Sequence, residues 1–238
     1  MNSICIATYN GEKYIKDQLE SILSQIKEDD EIIISDDGST DKTIEIINFY
    51  KDRRIRLLFN KGEHGIKYNF SNALKNAQGD IIFLSDQDDV WFPEKYAKLT
   101  ACLKNYTLVH HNSELTDNKL NLLGKTLYEV CHNHCGFFHN LKKTTYYGSH
   151  MAFHSSLLKY ALPFPKTNEI GHDVWLGFVA MVTGRVLFID EEFMFYRRNE
   201  GSYCTLFEKS KRPLYKKIYS RIITFVCEIL FIIKYKIK

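Results

Sequence analysis

Uninterrupted apolar runs alternate with helical-period stretches along the first ninety residues. Ile4–Thr8, Glu31–Ser35, Ile55–Phe59 and Ile81–Ser85 are short and bounded by glycine or polar residues. That is the pattern of strands buried on both faces. Between them, Tyr14 to Gln25 follows a helical period, with Ile15, Leu19, Ile22, Leu23 and Ile26 on one face. The next helix turns Ile44, Ile47 and Tyr50 inward, and a third buries Phe70, Ala73, Leu74 and Ala77 before Gly79 closes it. Turn chemistry separates these elements at Tyr9-Asn10-Gly11, at Asp36 to Asp41 and at Asn60 to Lys67, and Ser39, Thr40 or Asp41 suits a helix N-cap. The order β-α-β-α-β-α-β predicts an α/β fold, a mostly parallel sheet with helices on both faces.

Beyond Trp91, Pro93 suits the first turn of a helix reaching about Asn105, and Thr107–His111 reads as a strand. Residues 112–145 have weak periodicity. Tyr147–Phe153 reads as a strand lining a site, with a helix from about Ser155. Asp173–Thr183 is an apolar helix ended by Gly184, and Arg185–Asp190 and Phe193–Arg197 are two short strands.

Right-handed crossovers put the carboxyl ends of parallel strands on one rim, where open α/β sheets bind ligands. Tyr9-Asn10, Asp36-Asp37 and the run Asp86-Gln87-Asp88-Asp89 all fall at such ends. Asp86 and Asp88 are one residue apart, so a tight turn can aim both at one cation. Their hard oxygens suit Mg²⁺ or Mn²⁺ completed by phosphate oxygens. A bare pair of this kind is also what an acidic surface turn looks like, and it is the neighbouring clusters that favour a ligand.

Composition narrows the partners. In 238 residues, 45% hydrophobic and 26% charged, there is ample material for a core. A net charge of +3 is too small to imply nucleic-acid binding. There is no linker, repeat or low-complexity tract. Six scattered cysteines form no disulfide framework, and the start carries no signal-peptide pattern, so a cytoplasmic location is expected.

Several stretches together resemble the inverting family 2 glycosyltransferases, within them the bacterial rhamnosyltransferase-like group. They are Ala7-Thr8-Tyr9-Asn10-Gly11, Ser35 to Asp41, Ala77-x-Gly79-Asp80, Leu84 to Trp91, Gly148-x-x-Met151-Ala152-Phe153 and His172-Asp173-Val174-Trp175. The resemblance runs over roughly residues 1–200. It implies a GT-A type, Rossmann-like domain over 1–205, with a nucleotide-sugar-binding half (1–91) and an acceptor-binding half (92–205). It implies Tyr9 and Asn10 at the nucleotide, Asp36 hydrogen-bonded to the base with Asp37 beside it, and Asp86 and Asp88 as the metal pair, Asp88 the more direct ligand. Thr8, Asn69, Ser85 and Gln87 complete the expected donor-binding set. Asp173 would be the catalytic base. The family's histidine after the Tyr-Arg pair is replaced here by Arg198-Asn199, so Arg197 or Arg198 is expected to neutralise the leaving diphosphate.

Inverting transfer needs a base on one face of the sugar and a stabilised diphosphate on the other. Asp173 also fits a plain helix cap. Trp91 fits a sugar platform or the core, and His150 a pocket wall or a buried histidine. Cys131-His132-Asn133-His134-Cys135 with His139 has irregular spacing for structural zinc and reads better as a His-rich loop over the acceptor site. The tail, 206–238, sets an apolar run from Ile222 to Ile233 between basic clusters. It is too short to span a bilayer and reads as an amphipathic helix at the membrane interface, or as one packed on the protein or on a partner.

The combined expectation is a cytoplasmic enzyme, peripheral on the inner face of the plasma membrane. It would use Mn²⁺ or Mg²⁺ to move a sugar, rhamnose first, from a dTDP- or UDP-sugar donor. The acceptor would be a lipid-linked saccharide of bacterial surface polysaccharide, O-antigen (lipopolysaccharide) or capsule. A nucleotidyltransferase would need a Gly-rich, basic phosphate loop after the first strand, which Thr8 to Glu12 lacks. A non-catalytic assembly protein would have no reason to keep Asp36, Asp86, Asp88 and Asp173 together.

Overall fold

The computed structural model of the chain describes residues 1–133, 136, 145–198 and 212–236. Its first half is β1 (Asn2–Thr8), α1 (Ile15–Leu23), β2 (Glu31–Asp36), α2 (Thr43–Phe49), β3 (Ile55–Phe59), α3 (Ile66–Asn76) and β4 (Ile81–Asp86). β3, β2, β1 and β4 lie side by side and parallel, with Ala7 level with Asp86 and Thr8 level with Asp36. Their carboxyl ends therefore share one rim.

Residue alternation explains why these strands are apolar throughout. Ile4, Ile6, Ile32, Ile34 and Phe83 join Ile15, Leu19 and Ile22 of α1 in one core. Cys5, Ile33, Ile82 and Leu84 point the other way, into a core shared with Phe70, Ala73 and Leu74 of α3. Each side chain of this size contributes roughly 1.5–3 kcal/mol when fully buried. Both sheet faces are thereby closed, and only the rim is left for ligands.

The second half departs from the expected parallel pattern. It comprises β5 (Val90–Trp91), α4 (Lys95–Cys102), β6 (Leu108–Thr116), β7 (Leu122–Thr126), α5 (Leu127–Cys131), β8 (Met151–His154), α6 (Leu158–Ala161), α7 (His172–Thr183), β9 (Val186–Arg197) and α8 (Leu214–Lys236). β8 is antiparallel to both β4 and β6, whereas β6 and β9 run parallel. The strand order among the described residues is β3-β2-β1-β4-β8-β6-β9-β5, with β7 on β6. The two short strands expected over 185–197 are one, β9. Register shifts in its pairing with β6 absorb its polar middle, Asp190 to Glu192. Gly148–His150, expected as strand, forms a 3₁₀ turn ahead of β8. α7 completes the second core with Trp175, Leu176, Phe178, Val179 and Ala180.

Candidate active site

Three turns meet on the rim, tied to one another by side chains. After β1, Asn10 adopts φ +48°, a left-handed conformation that asparagine tolerates. Its Oδ1 accepts from Thr40 N at 2.9 Å and its own N–H donates to Ser39 Oγ at 2.9 Å. The Gln87 amide accepts from Tyr9 N at 2.9 Å and donates to Tyr9 O at 3.0 Å. Gly11 permits that approach, because a Cβ there would fall on the Gln87 amide. With its backbone clamped, Tyr9 holds its ring at the rim, 56% exposed.

The aspartates after β2 serve the loops. Asp36 is buried. It accepts from Thr8 Oγ1 (3.1 Å), Gly38 N (2.9 Å), Ser39 N (2.8 Å) and Ser39 Oγ (2.5 Å). Asp37 binds Asn60 Nδ2 (2.7 Å), His64 Nδ1 (3.0 Å) and Gly65 N (2.7 Å), fastening the entry to α3. Asn69 donates to Thr8 O at 3.0 Å, and its buried Oδ1 has no hydrogen-bond partner. Thr8, Asp36 and the main-chain N–H and Oδ1 of Asn10 thus hold the rim in shape.

Ser85 does not face the rim. It is fully buried on the α1 side of β4 against the Gln18 side chain at 2.6 Å. With its amide turned to accept from Ser85 Oγ and from Trp91 Nε1 (3.2 Å), Gln18 also donates to the Asp89 carbonyl. Gln18 is a buried polar residue among Ile15, Leu19 and Ile22, and it fastens the acidic turn from behind.

Asp86 and Asp88 sit half-buried at the tip of β4. The Asp86 carboxyl is pushed up to about 7, mainly by burial, then by the Asp88 charge and further by Asp173. A hydrogen bond from Ser149 and the Lys95 ammonium oppose the rise. The Asp173 charge thus acts on Asp86 in the same sense as that of Asp88. Asp89 is wholly buried and its Oδ2 has no hydrogen-bond partner. Beneath the turn lies Lys95, also fully buried, 3.0 Å from Ser149 O and 4.3 Å above the Trp91 ring. Burial holds this ammonium well below the usual lysine range. Trp91 belongs to the core, 3% exposed and beside Phe83.

Arg197 is not placed to meet a diphosphate. Nε donates to Asp88 O (2.8 Å), Nη1 to Asn118 O (2.7 Å) and Nη2 to Asp17 Oδ2 (3.1 Å), and the group stacks on the Tyr14 ring at 4.6 Å. At 4% exposure it is a clamp on the acidic turn. Arg198 is partly exposed, with its guanidinium 5.0 Å from the Tyr196 ring.

Asp173 lies in the first turn of α7, whose N-cap is Gly171, so it is not the cap. Its Oδ1 accepts from Val174 N at 2.8 Å. Beside it, His172 is buried, stacked on Phe70 at 4.4 Å, with Nε2 unpartnered. His150 is a buried histidine, its Nε2 bound to Ser113 Oγ at 2.8 Å. Most of the His-rich stretch 131–139 lies outside the described residues. Among the described residues no three His, Cys, Asp or Glu side chains form a closed metal cage. Two mutually repelling carboxylates with hard oxygens at an open tip fit an Mg²⁺ or Mn²⁺ shared with a ligand's phosphates.

The glycosyl transferase family 2 model matches residues 3–161. The chain belongs to glycosyl transferase family 2. An uncharacterized glycosyltransferase of Haemophilus influenzae is 37% identical over 128 residues, 51% of each chain. A UDP-Glc:alpha-D-GlcNAc-diphosphoundecaprenol beta-1,3-glucosyltransferase of Escherichia coli is 33% identical over 52% of this chain and 49% of its own. A dTDP-rhamnosyl transferase of Shigella flexneri is 38% identical over 41% of this chain and 36% of its own. The chain thus spans about half, or less, of these relatives. In fold it is similar to Staphylococcus aureus TarS in complex with UDP-GlcNAc, with TM-score 0.75 and 20% identity over 96% of this chain and 66% of that one. A mannosyltransferase of Pyrobaculum calidifontis in complex with GDP-Man and Mn²⁺ has TM-score 0.61 and 19% identity over 85% and 58%. The fold is the GT-A type, and α7, β9 and α8 follow the residues matched by the family 2 model.

Proposed function

We propose that this family 2 member is an inverting, metal-assisted glycosyltransferase that adds a sugar from a nucleotide-sugar to a lipid-linked saccharide in bacterial surface polysaccharide assembly. The observation that carries the reading is that carboxylate charge converges on Asp86 at the open rim, from Asp88 in the same turn and from Asp173 at the start of α7. The relatives' names support the substrate classes: one uses UDP-Glc and a diphosphoundecaprenol-linked acceptor, another is a dTDP-rhamnosyl transferase. dTDP-rhamnose remains the first donor candidate and UDP-glucose the second. Such an acceptor would place the work at the inner face of the plasma membrane.

In this reading the exposed Tyr9 ring takes the base and Arg198 the diphosphate side. Asp36, Asp37 and Gln87 keep the loops that form the pocket in register. Asp173 accepts the acceptor hydroxyl proton as that oxygen bonds to the anomeric carbon and the nucleoside diphosphate leaves from the opposite face. A divalent cation held by Asp86 and Asp88 would supply positive charge beside the diphosphate. The test is a panel of dTDP-, UDP- and GDP-sugars scored by thermal shift with and without Mn²⁺. One donor family should stabilise the protein only with metal. A protein indifferent to every nucleotide-sugar, with or without metal, would overturn the reading.

A further inference from the structure

α8 has two opposite faces, and among the described residues one of them packs on the body. Phe231 packs edge-on against Trp175 (5.5 Å) and Phe178 (5.8 Å) of α7, and Tyr235 against Tyr160 (5.4 Å). Thr224 and Glu228 are buried on that side. Near its start the helix is tied beside α7: Arg212 pairs with Glu169 Oε2 at 2.8 Å and Ser220 Oγ donates to Glu169 O at 3.2 Å.

The other face is apolar and open. Tyr215, Tyr219, Ile222, Val226, Leu230 and Ile233 fall on one line at helical spacing and are 45–67% exposed. Lys216 and Lys234 lie along one edge of this stripe by the same period, and Lys236 along the other; all three are exposed. Between residues 212 and 236 the one acidic residue is Glu228, and it is turned inward at 3% exposure. The open face therefore presents hydrocarbon bordered by cations, with no carboxylate of its own.

We propose that this face of α8 docks on an anionic lipid surface, lying in the headgroup–acyl boundary with its axis along the membrane. Charge complementarity selects the occupant. A second copy laid stripe to stripe would bring the cationic borders of two helices together, whereas anionic headgroups meet both borders with opposite charge. No helix among the described residues is long and apolar enough to cross a membrane, so the helix lies on the surface. α7 is packed on the reverse side of α8, so docking holds the helix that bears Asp173 one helix layer above the lipid, in reach of an acceptor anchored there.

The experiment is flotation of the full chain with phosphatidylglycerol and with phosphatidylcholine vesicles, alongside size-exclusion chromatography. It needs no donor or acceptor, so it stands or falls separately from the proposed activity. The wild type should float with phosphatidylglycerol, and do so less in high salt and with phosphatidylcholine. Ile222→Ser with Val226→Ser and Leu230→Ser should cut partitioning by about tenfold or more, and Lys216→Glu with Lys234→Glu should remove the lipid preference. These side chains are exposed, and an unchanged thermal midpoint confirms that the variants fold. Absence of wild-type binding would overturn the proposal. So would undiminished binding by the triple variant, or a wild-type dimer that the triple variant converts to monomer.

Discussion

The Arg197 guanidinium donates to the main-chain carbonyl of Asp88 at 2.8 Å, joining the end of β9 to the acidic turn after β4. The same group reaches Asn118 O and Asp17 Oδ2, and the Arg197 N–H reaches Asp89 Oδ1 at 3.3 Å. Arg197→Ala strips partners from all three side-chain acceptors, which sets a cost of roughly 2–4 kcal/mol. The turn should loosen too, weakening Mn²⁺ binding. Arg198→Ala, whose guanidinium among the described residues lies over the Tyr196 ring alone, should stay within about 0.5 kcal/mol of wild type while raising the donor KM. Urea unfolding and donor kinetics on the two variants check this; equal destabilisation by both would refute the clamp.

The arginine pair shows where sequence reading stops. The strands of the first half were legible because they are buried on both faces, so their residue pattern and their environment coincide. The rim was legible because carboxylates cluster at the strand ends. What each polar group spends its hydrogen bonds on was not. Asp36 and Asp86 look alike in sequence, yet one caps its own loop and the other stands at the open tip. Ser85 and Asp86 are neighbours that strand alternation sends to opposite faces, and a parity count from Phe83 would have shown it. Gln18 and Lys95 also left a signal, as polar residues on the apolar faces of their helices. The second half was less legible because its pairings join segments far apart in sequence, such as β6 with β9.

Asp173→Asn keeps the size of the side chain and an oxygen able to accept from Val174 N, so α7 should start as before. It removes the basic oxygen. Transfer should fall by roughly two to four orders of magnitude, with donor-induced thermal stabilisation unchanged. Turnover and thermal shift are measured together, and turnover above a tenth of wild type would remove Asp173 from the role of base.

The elevated Asp86 carboxyl predicts a pH dependence for metal. A metal ligand must be deprotonated, and burial and the Asp88 charge push this group up to about 7. Mn²⁺ affinity should therefore rise about tenfold per pH unit below 7 and level off above it. Asp88→Asn removes the second-largest cause of the elevation, so the bend should move to lower pH while affinity drops. Titration calorimetry from pH 5.5 to 8.5 reads both effects; a flat profile in the wild type would contradict the assignment.

Gly148 and His172 form a tighter test of how the base is positioned. A Cβ on Gly148 would lie 2.8 Å from His172 Nε2, and the imidazole is stacked on the Phe70 ring. Gly148→Ala must push either the 3₁₀ turn or the first turn of α7. The expected cost is roughly 1–3 kcal/mol of stability. The displacement reaches Asp173 through the backbone, so kcat should fall more than the donor KM changes. His172→Ala combined with Gly148→Ala opens the space and should recover part of the kcat.

The buried Glu228 carboxyl predicts that the packing of α8 on the body depends on pH. Its side chain is 3% exposed, Oε2 lacks a hydrogen-bond partner, and burial pushes the carboxyl from 4.5 to about 7, with Arg221 opposing. A carboxyl whose folded value lies above its unfolded value is bound to its proton more tightly in the folded state. Its stabilising contribution is complete below about 4.5 and is lost as pH rises through about 7. The loss is on the order of 2–3 kcal/mol at pH 8. Glu228→Gln carries no charge at any pH, so it should be the more stable protein at pH 8. Its advantage should shrink towards pH 5, where the native carboxyl is neutral. Urea midpoints at pH 5, 7 and 8 decide this, and an advantage that did not grow with pH would mean that Glu228 is solvated in the folded protein.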